Sequence, residues 1–360
     1  MHEAAAHHST PRFAVVGGFT TERRKARGDG LHTFRIDPVT GAWKQAFHLP
    51  DLVNPSFLIL DPNQDRIYSV HGDGDFASAF SIDAESGGLR LLGQAATGGV
   101  NGVHPAIDPS DQFLVVANYA SGSVSVLPIT ADGRLEPFIH KLDLPGEPGP
   151  HRTEQASSHP HHVVFDPSGR FLLVPDKGLD RVFILKLDPG SGRLHLHGSA
   201  AMRPGAGPRH IAFHPSLPIA FVVNEIDSTV AACRWDEANG ILTPMQLRST
   251  LPPHFFGAST AAAIVVSPCG RHVYASNRGQ DGVVHFNFDS ARNTLETVGW
   301  VSSQGRDPRF ICLGSDGKTL LVANEQSDNI VSFDIDGESG ALTFKDRAIG
   351  IASPATIVFI

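Results

Sequence analysis

Seven side chains able to do chemistry recur at two fixed places in a repeating pattern of this 360-residue chain: His161, Arg209 and Arg309 at one, and Lys177, Glu225, Arg278 and Glu325 at the other. Guanidinium groups grip oxyanions in a two-pronged fork and ammonium groups do so as point charges. A histidine and a glutamate held close together divide proton transfers between them. The set therefore suits binding an anion and moving protons on it, provided that the fold brings residues so distant in sequence to one spot.

The places are defined by turns at Asp61-Pro62, Asp108-Pro109, Asp166-Pro167, His214-Pro215, Ser267-Pro268 and Gly314-Ser315-Asp316. Nine residues beyond the second turn position stand His71, Asn118, Asp176, Asn224, Asn277 and Asn324. Six residues before it stand Ser56, Val103, His161, Arg209, Ala262 and Arg309, with Ala355 as a seventh. One past the Asn position stand Gly72, Tyr119, Lys177, Glu225, Arg278 and Glu325. A purely structural column would be apolar or uniform, whereas these two vary sharply and concentrate charge. Such groups are seldom buried unless paired, so a solvated channel mouth is their expected place.

The elements that must position them are strands. Runs such as Phe171-Leu-Leu-Val174 and Leu320-Leu-Val-Ala323 read as strands covered on both faces. Asp188-Pro-Gly-Ser-Gly192, Asp236-Glu-Ala-Asn-Gly240 and Asp336-Gly-Glu-Ser-Gly340 supply hairpin turns, and no sustained 3.6-residue apolar stripe marks a helix. The turns recur every 47 to 58 residues, the period of four-stranded propeller blades. Arg12–Gly18 looks like a second strand lacking its first, and Ser353–Ile360 like a first strand lacking the rest. The expected fold is all-β: a seven-bladed β-propeller of four-stranded antiparallel blades, closed where the two terminal strands share a blade and hide both sheet edges. Residues 1–10 are expected to form a disordered tail and 11–360 a single domain.

Alternation along the innermost strands places the next column, Phe57, His104, His162, His210, Ala263 and Phe310, on the face opposite the first, where histidines would pack between blades. By the same rule His159-Pro-His-His162 is split across two sides and makes a poor metal site. The basic run Arg23-Arg-Lys-Ala-Arg27 reads as a solvated loop. Gly 36 and Pro 26 make up about 17% of the chain, which fits a folded domain rich in turns and excludes disorder and collagen. A formal charge of −8 argues against a nucleic-acid binder. Cys233, Cys269 and Cys312 form neither a disulfide framework nor a zinc motif, and neither an apolar leader nor a span-length apolar run is evident. A cytoplasmic protein without membrane contact, monomeric or weakly homo-oligomeric, is expected.

Gly205-Ala-Gly-Pro-Arg-His-Ile-Ala-Phe-His-Pro215, Val223-Asn-Glu-Ile-Asp-Ser228, Ser267-Pro-Cys-Gly-Arg-His-Val-Tyr-Ala-Ser-Asn-Arg278 and Val322-Ala-Asn-Glu-Gln-Ser-Asp-Asn329 carry a resemblance to the seven-bladed lactonase propellers. These include propeller-type 6-phosphogluconolactonases and the fungal carboxy-cis,cis-muconate cyclases, and the likeness runs from Phe13 to Val358. It implies that His161, Arg209, Glu225 and Arg278 are the site residues.

For hydrolysis of a small anionic lactone such as 6-phosphogluconolactone, His161 would serve as general base on water, with Glu225 orienting it or donating a proton. Arg209 would polarise the carbonyl. Arg278, backed by Arg309 and Lys177, would hold the phosphate, with Glu325 beside them in the substrate-binding set. No metal or organic cofactor is required. A lactonising muconate cyclase would use the same residues, and a non-catalytic propeller that presents its rim to a partner is the remaining alternative.

Overall fold

The computed structural model describes residues 12–360. The tail expected over residues 1–10 lies outside them. The described residues form seven four-stranded antiparallel sheets arranged as propeller blades. Blade 1 joins both ends of the chain, with Pro354–Phe359 innermost, then Phe13–Gly18, Gly30–Ile36 and Trp43–Pro50. Blades 2 to 7 follow in chain order. Their innermost strands are Pro55–Leu60, Gly102–Ile107, Val164–Phe165, Pro208–Phe213, Thr260–Val266 and Pro308–Leu313. Closure is a ladder in which Ala14 faces Phe359 and Val16 faces Ile357, extended by hydrogen bonds exchanged between Phe13 and Ile360.

Apolar side chains sort into seven clusters, one in each seam between adjacent blades. The seam between blades 7 and 1 buries Val16, Leu321, Ala323, Ile330 and Ile357. Each fully buried Val, Leu or Ile contributes about 1.5–3 kcal/mol, so the ring holds only while every blade has both neighbours. Buried tyrosines tie the seams further: the Tyr68 hydroxyl donates to the Gly133 carbonyl, and that of Tyr274 to the Gly340 carbonyl. The hairpin turns form as their residues dictate. The Asp188 carboxylate accepts from the Gly190 and Ser191 amides, and Gly192 takes φ +67°.

The column nine residues beyond each turn is a latch. His71, Asn118, Asp176, Asn224, Asn277 and Asn324 are all fully buried. Asn277 Nδ2 donates to the Thr250 carbonyl and Asn324 Nδ2 to the Ser303 carbonyl, 2.9 and 2.8 Å away. Each latch fixes the end of a blade's second strand, and the residue after it is thereby aimed at the mouth of the channel.

The expectation for the His104, His162 and His210 column fails. In blades 2, 3, 5, 6 and 7 the register of the inner strand slips beside the channel: Pro208 pairs with Asn224 but His210 with Val223, leaving Arg209 as the extra residue. The same slip leaves Ser56, Val103 and Arg309 unpaired in their own blades. Blade 1 does likewise at Ala355, and blade 4 between the Pro160–Asp176 bridge and the Val164–Leu173 pair. A β-bulge breaks the two-residue alternation and re-aims side chains, so two successive residues per blade face the channel. The rings of Phe57, His104, His162 and His210 therefore meet across the axis instead of between blades. The His104–His162 and His162–His210 centroids lie 3.9 and 4.8 Å apart, and Phe57 reaches His210 at 6.3 Å. Together they plug the channel below its mouth.

Candidate active site

Above this plug lies a narrow pocket lined by His161, Arg209 and Arg309 from the bulged column, Phe57 and His210 from the plug, Phe310 packed on Phe57 at 5.9 Å, and Phe19 and Arg24 from blade 1. Lys177, Glu225, Arg278 and Glu325 stand behind this lining as a layer of ion pairs. The exposure expected at a solvated mouth is not observed for Arg209, Lys177 and Glu225, which are 2%, 3% and 7% exposed, while Arg278 and Glu325 are half-buried. The first three are buried because they are paired, the condition under which charges are tolerated inside a protein.

Glu225 is the hub. Its Oε1 accepts from Lys177 Nζ at 2.8 Å, and its Oε2 lies 3.1 Å from an Arg278 terminal nitrogen and 2.9 Å from Arg209 Nε. The last contact is an ion pair without hydrogen-bond alignment, and Arg209 Nε is a buried donor with no hydrogen-bond acceptor. Burial alone would raise the Glu225 carboxyl, but Arg278, Lys177 and Arg209 hold it well below the usual carboxylate range. A carboxylate so held is a fixed counter-charge. Of its two expected roles, the geometry favours orientation over proton donation.

Lys177 is fully engaged, donating to Glu225, to Glu154 at 2.6 Å and to the Tyr119 hydroxyl at 3.1 Å. It braces the site and offers no free face to a phosphate. Arg209 also donates to the Ala262 carbonyl and lies 3.1 Å from His210 Nε2. Arg309 Nε stands 3.6 Å from Glu325 Oε2, a loose pairing that leaves its guanidinium facing the pocket. Arg278 lines a second, more open recess with Arg306, Asp307 and Gln326, so it stands between the two cavities.

His161 is buried, and its Nδ1 has no hydrogen-bond partner. Burial first, and then the Arg209 charge, push its imidazole well below the usual range, so it is neutral at physiological pH. Unpartnered polar atoms on His161 and Arg209 in one pocket, with others on Arg278 and Glu325 close by, are uncommon in a folded protein, where buried polar groups are normally satisfied. His159 is drawn away from this set, stacking on Tyr119 at 4.5 Å with its Nδ1 2.9 Å from the Tyr119 carbonyl oxygen.

Three site components are absent from the columns as named from the sequence. Phe19 is the blade 1 member of the mouth column, and extending the column into the split blade locates it. Arg24 lies in the basic run expected to be a solvated loop. Instead, Glu22–Arg24 form a short 3-10 helix, and the Arg24 guanidinium pairs with Asp73 at 2.7 and 2.8 Å and covers Phe19 at 4.3 Å. Arg309 covers the same ring at 4.9 Å, so two guanidiniums flank Phe19 at the pocket entrance. Glu154 comes from the connection between blades 3 and 4, and the 58-residue spacing there is the signal of an insertion that folds over the mouth.

Among the described residues, no helix is long and apolar enough to cross a membrane. A family model described as a lactonase with a 7-bladed beta-propeller matches residues 13–359. A Bacillus subtilis 6-phosphogluconolactonase is 32% identical over 98% of this chain and 99% of its own. A Formosa agariphila protein of the same name is 32% identical over 91% and 93% of the respective chains. The solved periplasmic gluconolactonase of Pseudomonas aeruginosa superposes with a TM-score of 0.88 at 29% identity, covering 97% of this chain and 98% of its own. Fold, pocket and whole-length similarity agree, and the chain belongs to the seven-bladed β-propeller lactonase family.

Proposed function

We propose that this protein is a lactonase that opens 6-phosphogluconolactone to 6-phosphogluconate in the pocket above the channel plug. One observation carries the reading: a neutral imidazole with a free ring nitrogen, a buried guanidinium with an unaligned donor, and two further guanidiniums converge on one narrow pocket. The 6-phosphogluconolactonases and the gluconolactonase among the similar proteins support it. The unpaired cysteines fit a reducing, cytoplasmic setting.

Hydrolysis adds water across the C1 carbonyl and breaks the bond from C1 to the ring oxygen. His161 takes a proton from the attacking water and returns it to the ring oxygen as that bond breaks. Arg209 carries the negative charge that builds on the carbonyl oxygen, and removing one such preorganised donor costs about 2.7–4 kcal/mol of transition-state stabilisation. Because Arg209 is clamped by Glu225 and by the Ala262 carbonyl, it need not reorganise as the charge forms. Arg24 and Arg309, at the entrance, hold the phosphate, with Arg278 as the adjoining cation. Glu225 and Lys177 position these groups without touching the substrate.

The purified protein is expected to open 6-phosphogluconolactone well above the spontaneous rate. His161→Ala is expected to lose about 10²–10⁴-fold in kcat, the usual worth of a positioned general base. Undiminished turnover in that variant would remove His161 from the reaction. No acceleration by the unaltered protein would remove the function.

A further inference from the structure

A second cluster of reactive side chains lies on the outer strands of blade 1 and has no part in the lactonase reading. His32, on Gly30–Ile36, and His48, on Trp43–Pro50, are direct register partners across the ladder. Directly opposed residues of an antiparallel pair point to the same face, with Cβ atoms about 4.5–5.5 Å apart. Their rings stack with centroids 4.2 Å apart and planes within 14°. Asp29, just ahead of the first strand, places Oδ1 2.7 Å from His32 Nε2 and Oδ2 3.5 Å from His48 Nε2. One ligand atom from each of the three lies within 4.8 Å of the others.

Proton sharing alone satisfies this cluster poorly. His48 Nε2 is buried and lacks a hydrogen-bond partner, although the carboxylate faces it. With the stacked rings turned to converge, one metal ion accepts both nitrogen lone pairs and the carboxylate together.

We propose that Asp29, His32 and His48 form a binding site for a divalent transition-metal ion of the zinc type. Two imidazoles and one carboxylate are a borderline donor set that favours Zn²⁺, Ni²⁺ or Cu²⁺ over Mg²⁺ or Ca²⁺, which prefer all-oxygen shells. Three protein ligands leave further coordination positions to solvent, and Asp29 is 63% exposed in its side chain. The site has a structural consequence. Asp29 ends the segment that carries Arg24 to the pocket entrance and Arg27 to Asp328. A bound ion fastens the base of that segment to the outer hairpin of blade 1.

The test is calorimetric titration with ZnCl₂ at pH 7.5 on the full chain carrying H2Q, H7Q and H8Q, which removes the competing imidazoles near the N-terminus. One saturable equivalent is expected, with Kd raised at least tenfold by His48→Ala or Asp29→Asn and no comparable heat from MgCl₂. Bound zinc is also expected to raise Tm by a few degrees in the H2Q/H7Q/H8Q chain but not in those variants, because an ion that binds only the folded state stabilises it by mass action. Absence of saturable binding, or equal affinity in the parent and both variants, overturns the site. Should the variants fail to fold, Co²⁺ added to the H2Q/H7Q/H8Q chain decides. Paramagnetically shifted imidazole signals from His32 and His48 support the site, and unshifted ones overturn it.

Discussion

The mouth of the channel has two arcs built on the same backbone plan. Blades 4 to 7 present His161 with Lys177, Arg209 with Glu225, Ala262 with Arg278, and Arg309 with Glu325. Blades 1 to 3 present Ala355 with Phe19, Ser56 with Gly72, and Val103 with Tyr119. The same bulge and the same strand ends frame both arcs. The difference lies in the side chains and in the insertion that brings Glu154 to the charged arc. A near-symmetric ring becomes an asymmetric site because one arc holds interlocked charges while the other carries none at these positions. Arg24, reaching in from blade 1, is the exception that places a cation on the quiet arc.

The comparison breaks most severely if the charged arc loses its hub. Glu225→Ala leaves Lys177, Arg209 and Arg278 buried without their shared counter-charge. Uncompensated buried charge costs about 3–5 kcal/mol, so chemical denaturation should show a loss of that order and turnover should fall close to the spontaneous rate. A variant as stable and active as the parent would mean that the ion-pair layer is not what organises the pocket.

Acid should act next, through two buried histidines, His71 in the blade 2 latch and His162 in the plug. Burial lowers His71 to about 4, while burial and then Arg209 lower His162 to about 3. In the unfolded chain both titrate near ~6.5, so below that pH the unfolded state takes up protons that the folded state refuses. Their contribution to stability is thus complete above about 6.5 and is lost as pH falls toward the folded values. Urea midpoints should drop from pH 7.5 to pH 5, and His162→Phe, which places in blade 4 the residue that blades 2 and 7 carry, should flatten that drop. An unchanged slope would mean that His162 is not held neutral.

The smaller effects concern the entrance. Arg24→Ala should raise KM about tenfold with little change in kcat, the pattern of lost ground-state binding. Gly72→Ala sharpens the role of the quiet arc, because an added Cβ would sit 2.8 Å from the Phe19 ring and 3.2 Å from Ser56 Oγ. Displacing Phe19 should raise KM a few-fold. A kcat effect without a KM effect in either variant would move the entrance into the chemical step.

The ring, its closure and the two charged columns are legible in the sequence because a repeated blade turns spacing into position: equal offsets become equal places around an axis. What the pattern hides are departures from regularity. The alternation rule sent His104, His162 and His210 to the wrong face because a one-residue slip beside Arg209 and its equivalents lets neighbouring residues face the same way. Arg24 was hidden because a loop follows no repeat, and only the folded chain shows Asp73 and Phe19 waiting for it. The burial of Lys177 and Glu225 was hidden because pairing partners 48 residues apart leave no mark in composition or period.

A crystal structure with the product 6-phosphogluconate bound tests the central claim most directly. The account predicts the new carboxylate within hydrogen-bonding reach of His161 and Arg209, and the phosphate between Arg24 and Arg309 above the Phe57–His210 plug. Product bound away from this pocket, or lodged there with no contact to His161 or Arg209, would contradict it.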